Sequence, residues 1–372
     1  MADDRLSALR ELGQSVWIDF ISREALTSGE LARLVRDGVS GLTSNPAIFQ
    51  RAILSGNSYD ADIAKLAAQG KSAVEIYEAL AMADIAMAAD LLRPVYEQTK
   101  GLDGYVSLEV SPHLAYDTVG TIAEARRLFH TLGRPNVMIK VPGTPEGIPA
   151  IAELIGSGIN INVTLLFSLD AYEAAANAYL DGLERLARDG GNLQRVASVA
   201  SFFVSRLDTA VDARLAGHPQ AARLAGRTAV AYTKLAYARF QKIFAGPRWQ
   251  ALASQGARVQ RPLWASTSTK NPAYPDTLYV DELIGPYTVN TMPPQTLAAF
   301  RNHGRVAERI TQGLVEAEAL LAELATIGID LDKVTQELLD AGVKAFAEAF
   351  DQLLEGLQEK AAMLVAAVEV TT

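Results

Sequence analysis

The stretch Asn136-Val137-Met138-Ile139-Lys140-Val141-Pro142 places a lysine inside an apolar run that ends at a proline. This pattern predicts a short, buried strand of the kind found in parallel sheets. Burial disfavours the ammonium form of a lysine and frees the lone pair of its amine, which is the nucleophile in Schiff-base chemistry on carbonyl compounds. The structural alternative is a lysine at a strand end that pairs with a carboxylate or extends its charged head into solvent.

Short apolar segments alternate with amphipathic helical patterns along the whole chain. The predicted strands are Ser15–Phe20, Gly41–Ser44, Tyr105–Val110, Asn136–Val141, Ile159–Leu165, Val196–Phe203, Pro262–Ser266 and Tyr287–Thr291. Alternation of strands and helices predicts an α/β fold with a parallel sheet, and eight such units predict a (β/α)8 TIM barrel. A doubly wound open sheet is the alternative, but no Gly-x-Gly-x-x-Gly turn follows a strand.

We expect one domain over residues 1–372 with two helical additions to a minimal barrel. Residues 47–104, between the second and third strands, predict an insertion that covers the mouth or the floor of the barrel. Residues 297–368 predict C-terminal helices, with helical apolar spacing in Val334–Leu357. We expect these helices to pack against the outside of the barrel, and a dimer surface is the alternative.

Composition excludes several classes of function. The net charge is −9 and there is no basic run, which argues against a nucleic-acid partner. The absence of cysteine excludes disulfides, thiolate catalysis and cysteine-ligated zinc. The four histidines are scattered, so we predict no metal site. Without a run of eighteen apolar residues or an apolar signal-peptide segment, the sequence predicts a cytoplasmic protein that does not bind a membrane.

Polar side chains gather at the predicted C-terminal ends of the strands, which form the active-site face of a barrel. In chain order they are Asp19, Asn45, Glu109, Lys140, Asn162, Thr164, Ser201, Arg206, Ser268 and Lys270. Each has a structural explanation by itself, since an aspartate at a strand end commonly caps the next helix and an asparagine before proline commonly forms a turn. Their convergence on one rim nevertheless predicts a functional site.

The reactive groups of this set suit cleavage of a carbon–carbon bond next to a ketone. Lys140 attacks the ketone to form an imine, and the iminium then accepts the electrons of the neighbouring bond. A carboxylate must take the proton from the adjacent hydroxyl, and another group must manage water during imine formation and hydrolysis. Asp19 and Glu109 are the candidates for these two tasks.

The remaining groups suit a phosphorylated, hydroxyl-rich substrate. Asn45 and Asn162 can hold substrate hydroxyls by hydrogen bonds. Arg206 and Lys270 can clamp a phosphate, and the serine hydroxyls beside them can donate further hydrogen bonds. These residues therefore predict a site for substrate hydroxyls and for a phosphate.

Five motifs, in this order and each in a strand context, resemble the transaldolase family of class I Schiff-base enzymes, in its longer bacterial form. They are Thr43-Ser-Asn45-Pro46, Ser107-Leu-Glu109-Val110, Ile139-Lys140-Val141-Pro142, Asn162-Val-Thr164-Leu-Leu-Phe167-Ser168 and Ser201-Phe-Phe203-Val-Ser-Arg206. The resemblance covers Val16 to about Asn290. It implies a barrel without a cofactor that transfers a dihydroxyacetone unit between sugar phosphates of the non-oxidative pentose phosphate pathway, as a monomer or a homodimer.

The resemblance also implies a role for each matching residue. Lys140 is the Schiff-base lysine, Asp19 is the general acid and base, and Glu109 and Thr164 hold and activate the catalytic water. The groups expected to hold the dihydroxyacetone portion are Asn45 and Asn162. The groups expected to bind the sugar phosphate are Ser201, Arg206 and the seventh-strand loop with Ser268 and Lys270.

Three positions, Lys270, Glu109 and Phe203, refine this interpretation. Ser268-Thr-Lys270-Asn271 stands where the family has Ser-Phe-Arg-Asn, and a lysine keeps the cation without the arginine fork. The related fructose-6-phosphate aldolases use the same lysine but tend to carry glutamine and tyrosine where this chain has Glu109 and Phe203, so both residues favour transfer. A non-catalytic barrel that serves as a binding protein is the remaining alternative.

Overall fold

A computed structural model describes residues 4–371, and its centre is a closed barrel of eight parallel strands in sequence order. The strands are β1 (Gln14–Ile18), β2 (Gly41–Thr43), β3 (Val106–Glu109), β4 (Val137–Pro142), β5 (Ile161–Leu166), β6 (Ser198–Phe203), β7 (Arg261–Ala265) and β8 (Thr288–Met292). β1 pairs with β8 along its whole length, which closes the barrel. The predicted strands and the predicted TIM barrel are confirmed, and the open-sheet alternative is wrong.

Helices follow the strands and surround the barrel. They are α1 (Asp4–Glu11), α2 (Arg23–Thr27), α3 (Glu30–Asp37), α4 (Pro46–Leu54), α5 (Asp60–Ala68), α6 (Ala73–Gln98), α7 (Thr118–Leu132), α8 (Gly147–Gly156), α9 (Leu169–Arg188), α10 (Ser205–Leu215), α11 (Ala221–Leu224), α12 (Thr228–Ile243), α13 (Pro247–Ala253), α14 (Leu278–Asp281), α15 (Pro294–His303), α16 (Leu314–Thr326) and α17 (Leu331–Thr371). Short 3₁₀ turns lie at Pro112–Leu114 and Leu193–Arg195. No helix in this described part of the chain is long and apolar enough to cross a membrane.

Alternation along the strands divides the buried apolar residues into two layers. Ile161 and Val163 of β5 belong to the outer core between the strands and the helices. Met138, Val199 and Leu263 belong to a second cluster that fills the inside of the barrel. Because successive strand side chains point to opposite faces, a near-continuous apolar run can fill both layers at once.

The segment between β2 and β3 is helical, as predicted, and consists of α4, α5 and α6. Pro46 occupies the first turn of α4, where a missing N–H costs nothing. A reciprocal capping box between Ser72 and Glu75 starts the long helix α6. α6 packs against β3 in the outer layer, whereas α4 brings Arg51 to the mouth of the barrel.

The last helix, α17, departs from the predicted arrangement. We expected the C-terminal helices to pack against the outside of the barrel, and α16 does so by packing on α12. α17 instead contacts α4, α5, α6, α10, the 3₁₀ turn at Pro112–Leu114 and β5, and its Phe346 lines the cavity at the barrel mouth. The apolar residues of α17 recur at three- and four-residue spacing and therefore form one face of the helix. This face packs on apolar residues at the rim of the barrel.

Candidate active site

A cavity of about 430 Å³ opens at the C-terminal ends of the strands. Most of the predicted site residues line it, namely Asp19, Asn45, Lys140, Thr164, Ser201, Phe203, Arg206, Ser268 and Lys270. Glu109 and Asn162 are buried next to this lining and do not form part of it. The parallel barrel produces this convergence because every strand presents its carboxyl end to the same face.

Lys140 lies at the centre of the site with its side chain almost wholly buried. Strand register places Glu109, Lys140 and Asn162 side by side on β3, β4 and β5. The Lys140 Nζ atom is 3.1 Å from Glu109 Oε2 and donates a hydrogen bond to the Ser44 carbonyl oxygen at 2.9 Å. The lysine is therefore paired with a carboxylate, as the structural alternative predicted, and this pair adjoins a cavity that admits a ligand.

Glu109 is suited to exchange a proton with the lysine. Burial raises the pKa of its carboxyl group, the Lys140 charge opposes this rise, and the nearby Asp19 charge adds to it. Glu109 Oε1 and Thr164 Oγ1 are both buried and make no hydrogen bond to any described residue. These two oxygen atoms can therefore bind a water molecule next to the amine.

Asp19 follows the last residue of β1. Its backbone N–H donates to the Met292 carbonyl oxygen at 2.9 Å, and its carboxylate accepts a hydrogen bond from the Thr43 hydroxyl at 2.7 Å. Burial raises the pKa of Asp19, opposed first by the Lys140 charge and then by the Thr43 hydrogen bond. A raised pKa favours the protonated form of a carboxyl group, which can then act as a general acid as well as a base.

The two predicted amides have different surroundings. Asn45 lines the cavity and also caps α4, because its side-chain oxygen accepts the Ile48 N–H at 3.0 Å. Asn162 is fully buried, donates to the Ser107 hydroxyl at 3.0 Å and accepts from the Ser201 hydroxyl at 2.7 Å. Asn162 therefore orients Ser201 in this structure, and its contact with substrate stays a prediction.

Two cations lie at the ends of β6 and β7 without an acidic partner among the described residues. The Arg206 guanidinium lies 5.6 Å from the centre of the Phe203 ring, and Lys270 donates to the Ser268 hydroxyl at 2.7 Å. Burial lowers the pKa of both groups, and the charge of Arg206 lowers the pKa of Lys270 further. The Asp19 charge partly opposes the shift of Lys270. Two neighbouring cations without an ion pair among the described residues form a site for an anion such as phosphate.

Sequence reasoning missed several residues that line the cavity. Thr43 lies two residues before Asn45, so the period-two rule that paired Asn162 with Thr164 could have found it. Arg51 lies on the helix that begins at this rim, and Phe346 comes from α17. No local pattern marks Phe346 as a cavity residue, because its position depends on where α17 packs.

The described residues contain no group of three or more histidine, aspartate or glutamate side chains that could hold a metal ion. The site instead consists of one amine, two carboxyl groups, hydroxyls and the cations of the rim. This composition fits acid–base chemistry around a covalent nucleophile.

Comparison with known proteins places these residues in a family. Residues 16–357 match the family model described as transaldolase/fructose-6-phosphate aldolase. The chain is 50% identical over 359 residues to a transaldolase of Parafrankia sp. (strain EAN1pec), covering 95% of this chain and 97% of the relative. It is 51% identical over 346 residues to a transaldolase of Thiobacillus denitrificans, covering 92% of this chain and 96% of the relative.

A third relative shows similarity of nearly full length. The chain is 48% identical over 378 residues to transaldolase 2 of Nostoc sp., covering 98% of this chain and 99% of the relative. The family model includes every predicted site residue within its span. The chain is therefore a member of the transaldolase/fructose-6-phosphate aldolase family.

Proposed function

We propose that this protein is a transaldolase that works through a Schiff base on Lys140. It transfers a dihydroxyacetone unit from sedoheptulose 7-phosphate or fructose 6-phosphate to glyceraldehyde 3-phosphate or erythrose 4-phosphate, in the non-oxidative pentose phosphate pathway. The observation that carries the proposal is the Lys140 amine 3.1 Å from Glu109 beside a cavity that Asp19 and Thr164 also line. Relatives of nearly full length carry the name transaldolase.

Imine formation is the first step. The neutral amine of Lys140 attacks the substrate ketone, and Glu109 accepts the ammonium proton because burial has raised its pKa. The carbinolamine then loses water to give the iminium. Glu109 and Thr164 hold this water, using the buried oxygen atoms that have no partner among the described residues.

Carbon–carbon cleavage is the second step. Asp19 takes the proton of the C4 hydroxyl, the C3–C4 bond breaks, and its electron pair moves into the iminium to form an enamine. The aldose phosphate leaves and the acceptor aldose phosphate enters. The enamine carbon attacks its aldehyde, and Asp19 returns the proton to the new alkoxide.

Substrate phosphate binds at the cationic end of the cavity. Arg206 and Lys270 provide the charge, and Ser201 and Ser268 provide hydroxyl donors. Phe203 supports the Arg206 guanidinium from one side through a cation–π contact. No cofactor takes part in this reaction, and we propose a cytoplasmic location and either a monomer or a homodimer.

Borohydride trapping tests the proposal. The protein is incubated with fructose 6-phosphate, reduced and digested, and the peptides are weighed. We expect a dihydroxyacetone adduct on the Lys140 peptide, which is lost in Lys140→Met, a variant that keeps the apolar stem of the side chain. A folded wild-type protein without any lysine adduct would contradict the mechanism and favour a binding protein.

Adding erythrose 4-phosphate separates the two activities of the family. A transaldolase forms sedoheptulose 7-phosphate, whereas a fructose-6-phosphate aldolase releases free dihydroxyacetone. We expect transfer to dominate, since Glu109 and Phe203 occupy the positions where the aldolases tend to carry glutamine and tyrosine. Dominant release of dihydroxyacetone would assign the chain to the aldolase branch.

A further inference from the structure

The end of β5 departs from regular strand geometry directly after Thr164. Leu165 has a φ of 58°, in the left-handed region that a residue with a Cβ atom rarely adopts. The register between β5 and β6 shifts between Val163 and Leu166. As a result Leu165 belongs to the apolar cluster with Phe203 inside the barrel mouth, whereas Val163 and Leu166 belong to the outer core.

α17 packs closely on this irregular residue. A Cβ atom at Gly342 would lie 3.1 Å from Leu165 Cδ2 and 3.4 Å from Phe167 Cε2, so only a glycine allows this approach without displacement of a neighbour. Leu339 and Val343 of the same helix belong to the cluster that contains Leu165. A strained backbone conformation persists only where its surroundings fix it, and α17 supplies part of those surroundings.

One helical turn further along, α17 reaches the cavity itself. Phe346 lines the cavity together with Lys140 and Thr164 and is only 6% exposed. It shares its apolar cluster with Phe203. The same helix therefore contacts the residue after Thr164 and covers part of the space where the substrate reacts.

We propose that α17 is a positioning element for the water-dependent steps of the reaction. Gly342 allows the helix to hold Leu165, and thereby the adjacent Thr164, in place, while Phe346 keeps solvent water away from the enamine. This proposal rests on the proposed function, in which Thr164 and Glu109 hold the one water that the reaction uses. Gly342, Leu165 and Phe346 act through Thr164 or through solvent exclusion and do not take part in bond changes.

The enamine has two fates that this arrangement separates. Attack on an acceptor aldehyde forms a C–C bond and completes the transfer. Alternatively, one water molecule hydrolyses the enamine. One hydrogen atom of the water is transferred to carbon and the other to the Lys140 nitrogen. The oxygen atom binds to C2 as the C=N bond breaks. The second fate releases free dihydroxyacetone, and a dry pocket suppresses it.

The water-exclusion role is tested by the ratio of free dihydroxyacetone to sedoheptulose 7-phosphate formed from fructose 6-phosphate and erythrose 4-phosphate. We expect Phe346→Ala to raise this ratio about tenfold. Leu357→Ala is the matched control, because Leu357 is a fully buried residue of the same helix that does not line the cavity, and it should leave the ratio nearly unchanged. An unchanged ratio in Phe346→Ala, or an equal rise in both variants, would overturn this role.

The positioning role is tested by the rate of borohydride-trapped imine formation. Gly342→Val should slow trapping about tenfold with little change in KM, because it displaces Leu165. Gly356→Val is the control, since a Cβ atom there meets Leu54, 2.7 Å from its Cδ1 atom, and meets neither Leu165 nor Phe167. It should lower the melting temperature without slowing trapping.

A second variant covers the case in which Gly342→Val does not fold. Leu165→Gly relieves the left-handed strain and removes the same contact, so it should also slow trapping. Wild-type trapping rates in Leu165→Gly or in folded Gly342→Val would overturn the positioning role. A wild-type protein that forms no Lys140 adduct would instead contradict the proposed function, so the two failures are distinguishable.

Discussion

Each reactive side chain in this site contacts one or two polar neighbours. Lys140 contacts Glu109 and the Ser44 carbonyl oxygen, and Asp19 accepts a hydrogen bond from the Thr43 hydroxyl. Burial raises the pKa of both carboxyl groups, and the Lys140 charge opposes this rise in each. In the proposed mechanism, the two carboxyl groups are separate proton acceptors, one for the amine and one for the substrate hydroxyl.

Removal of Arg206 should separate phosphate binding from ketone chemistry. We expect Arg206→Ala to lower kcat/KM for fructose 6-phosphate by roughly a hundredfold, since a charge-assisted hydrogen bond contributes about 2 to 3 kcal/mol. Trapping of free dihydroxyacetone on Lys140 should change little. Arg239→Ala, which removes a surface partner of Asp170, is the control. Equal losses with phosphorylated and free substrates would remove the phosphate role of Arg206.

Lys270→Arg should strengthen the same subsite. A guanidinium can form two parallel hydrogen bonds to a phosphate, which the Lys270 ammonium cannot. We expect KM for fructose 6-phosphate to fall about threefold with kcat nearly unchanged. Steady-state kinetics on both proteins checks this, and a rise in KM would mean that the loop fits a lysine only.

At the scale of elements, α10 carries Arg206 and is anchored by a buried carboxyl group one turn away from the cavity. Asp208 accepts the Ala229 N–H of α12 at 2.7 Å and the Tyr279 hydroxyl of α14 at 2.7 Å. Three helices therefore meet at one side chain. This junction fixes the helix that carries Arg206, the proposed phosphate ligand.

The same carboxyl group makes stability depend on pH. Burial raises the pKa of Asp208 from 3.8 to about 6, because its two hydrogen bonds only partly offset desolvation. The folded state therefore holds the proton more tightly than the unfolded state, and stability contributed by this group falls as pH rises from about 4 to about 6. In Asp208→Asn, the free energy of unfolding should fall less as the pH rises from about 4 to about 6, by up to about 3 kcal/mol. Denaturant unfolding at several pH values measures it, and identical pH slopes in both proteins would contradict the assignment.

Packing of α17 should contribute much of its stability through a few fully buried leucines. Leu353 is 0% exposed, so Leu353→Ala should lower the free energy of unfolding by about 3 kcal/mol. Met363→Ala on the same helix should change it by less than about 0.5 kcal/mol, since Met363 is 65% exposed. Similar small effects of both substitutions would show that α17 is only loosely attached to the barrel.

For the molecule as a whole, the barrel was predictable because each strand is a short apolar run with its own helical pattern after it. The same regularity placed the strand-end residues, such as Lys140 and Thr164, on one rim. The path of α17 was not predictable, because an apolar helical stripe does not specify which surface it covers. Phe346 and Arg51 were missed for this reason, since both come from helices whose orientation depends on tertiary packing.

Closure of the barrel by β1 and β8 has a consequence for biosynthesis. β1 leaves the ribosome before the other strands, and its neighbour β8 is separated from it by most of the chain. The Asp19 N–H can therefore donate to the Met292 carbonyl oxygen only after β8 has emerged. At about 5–20 residues per second, the nascent chain carries an unpaired apolar β1 edge for tens of seconds. α17 is synthesised later still. The cavity is therefore complete only after α17 has emerged, and until then the β1 edge is open to pairing with other chains.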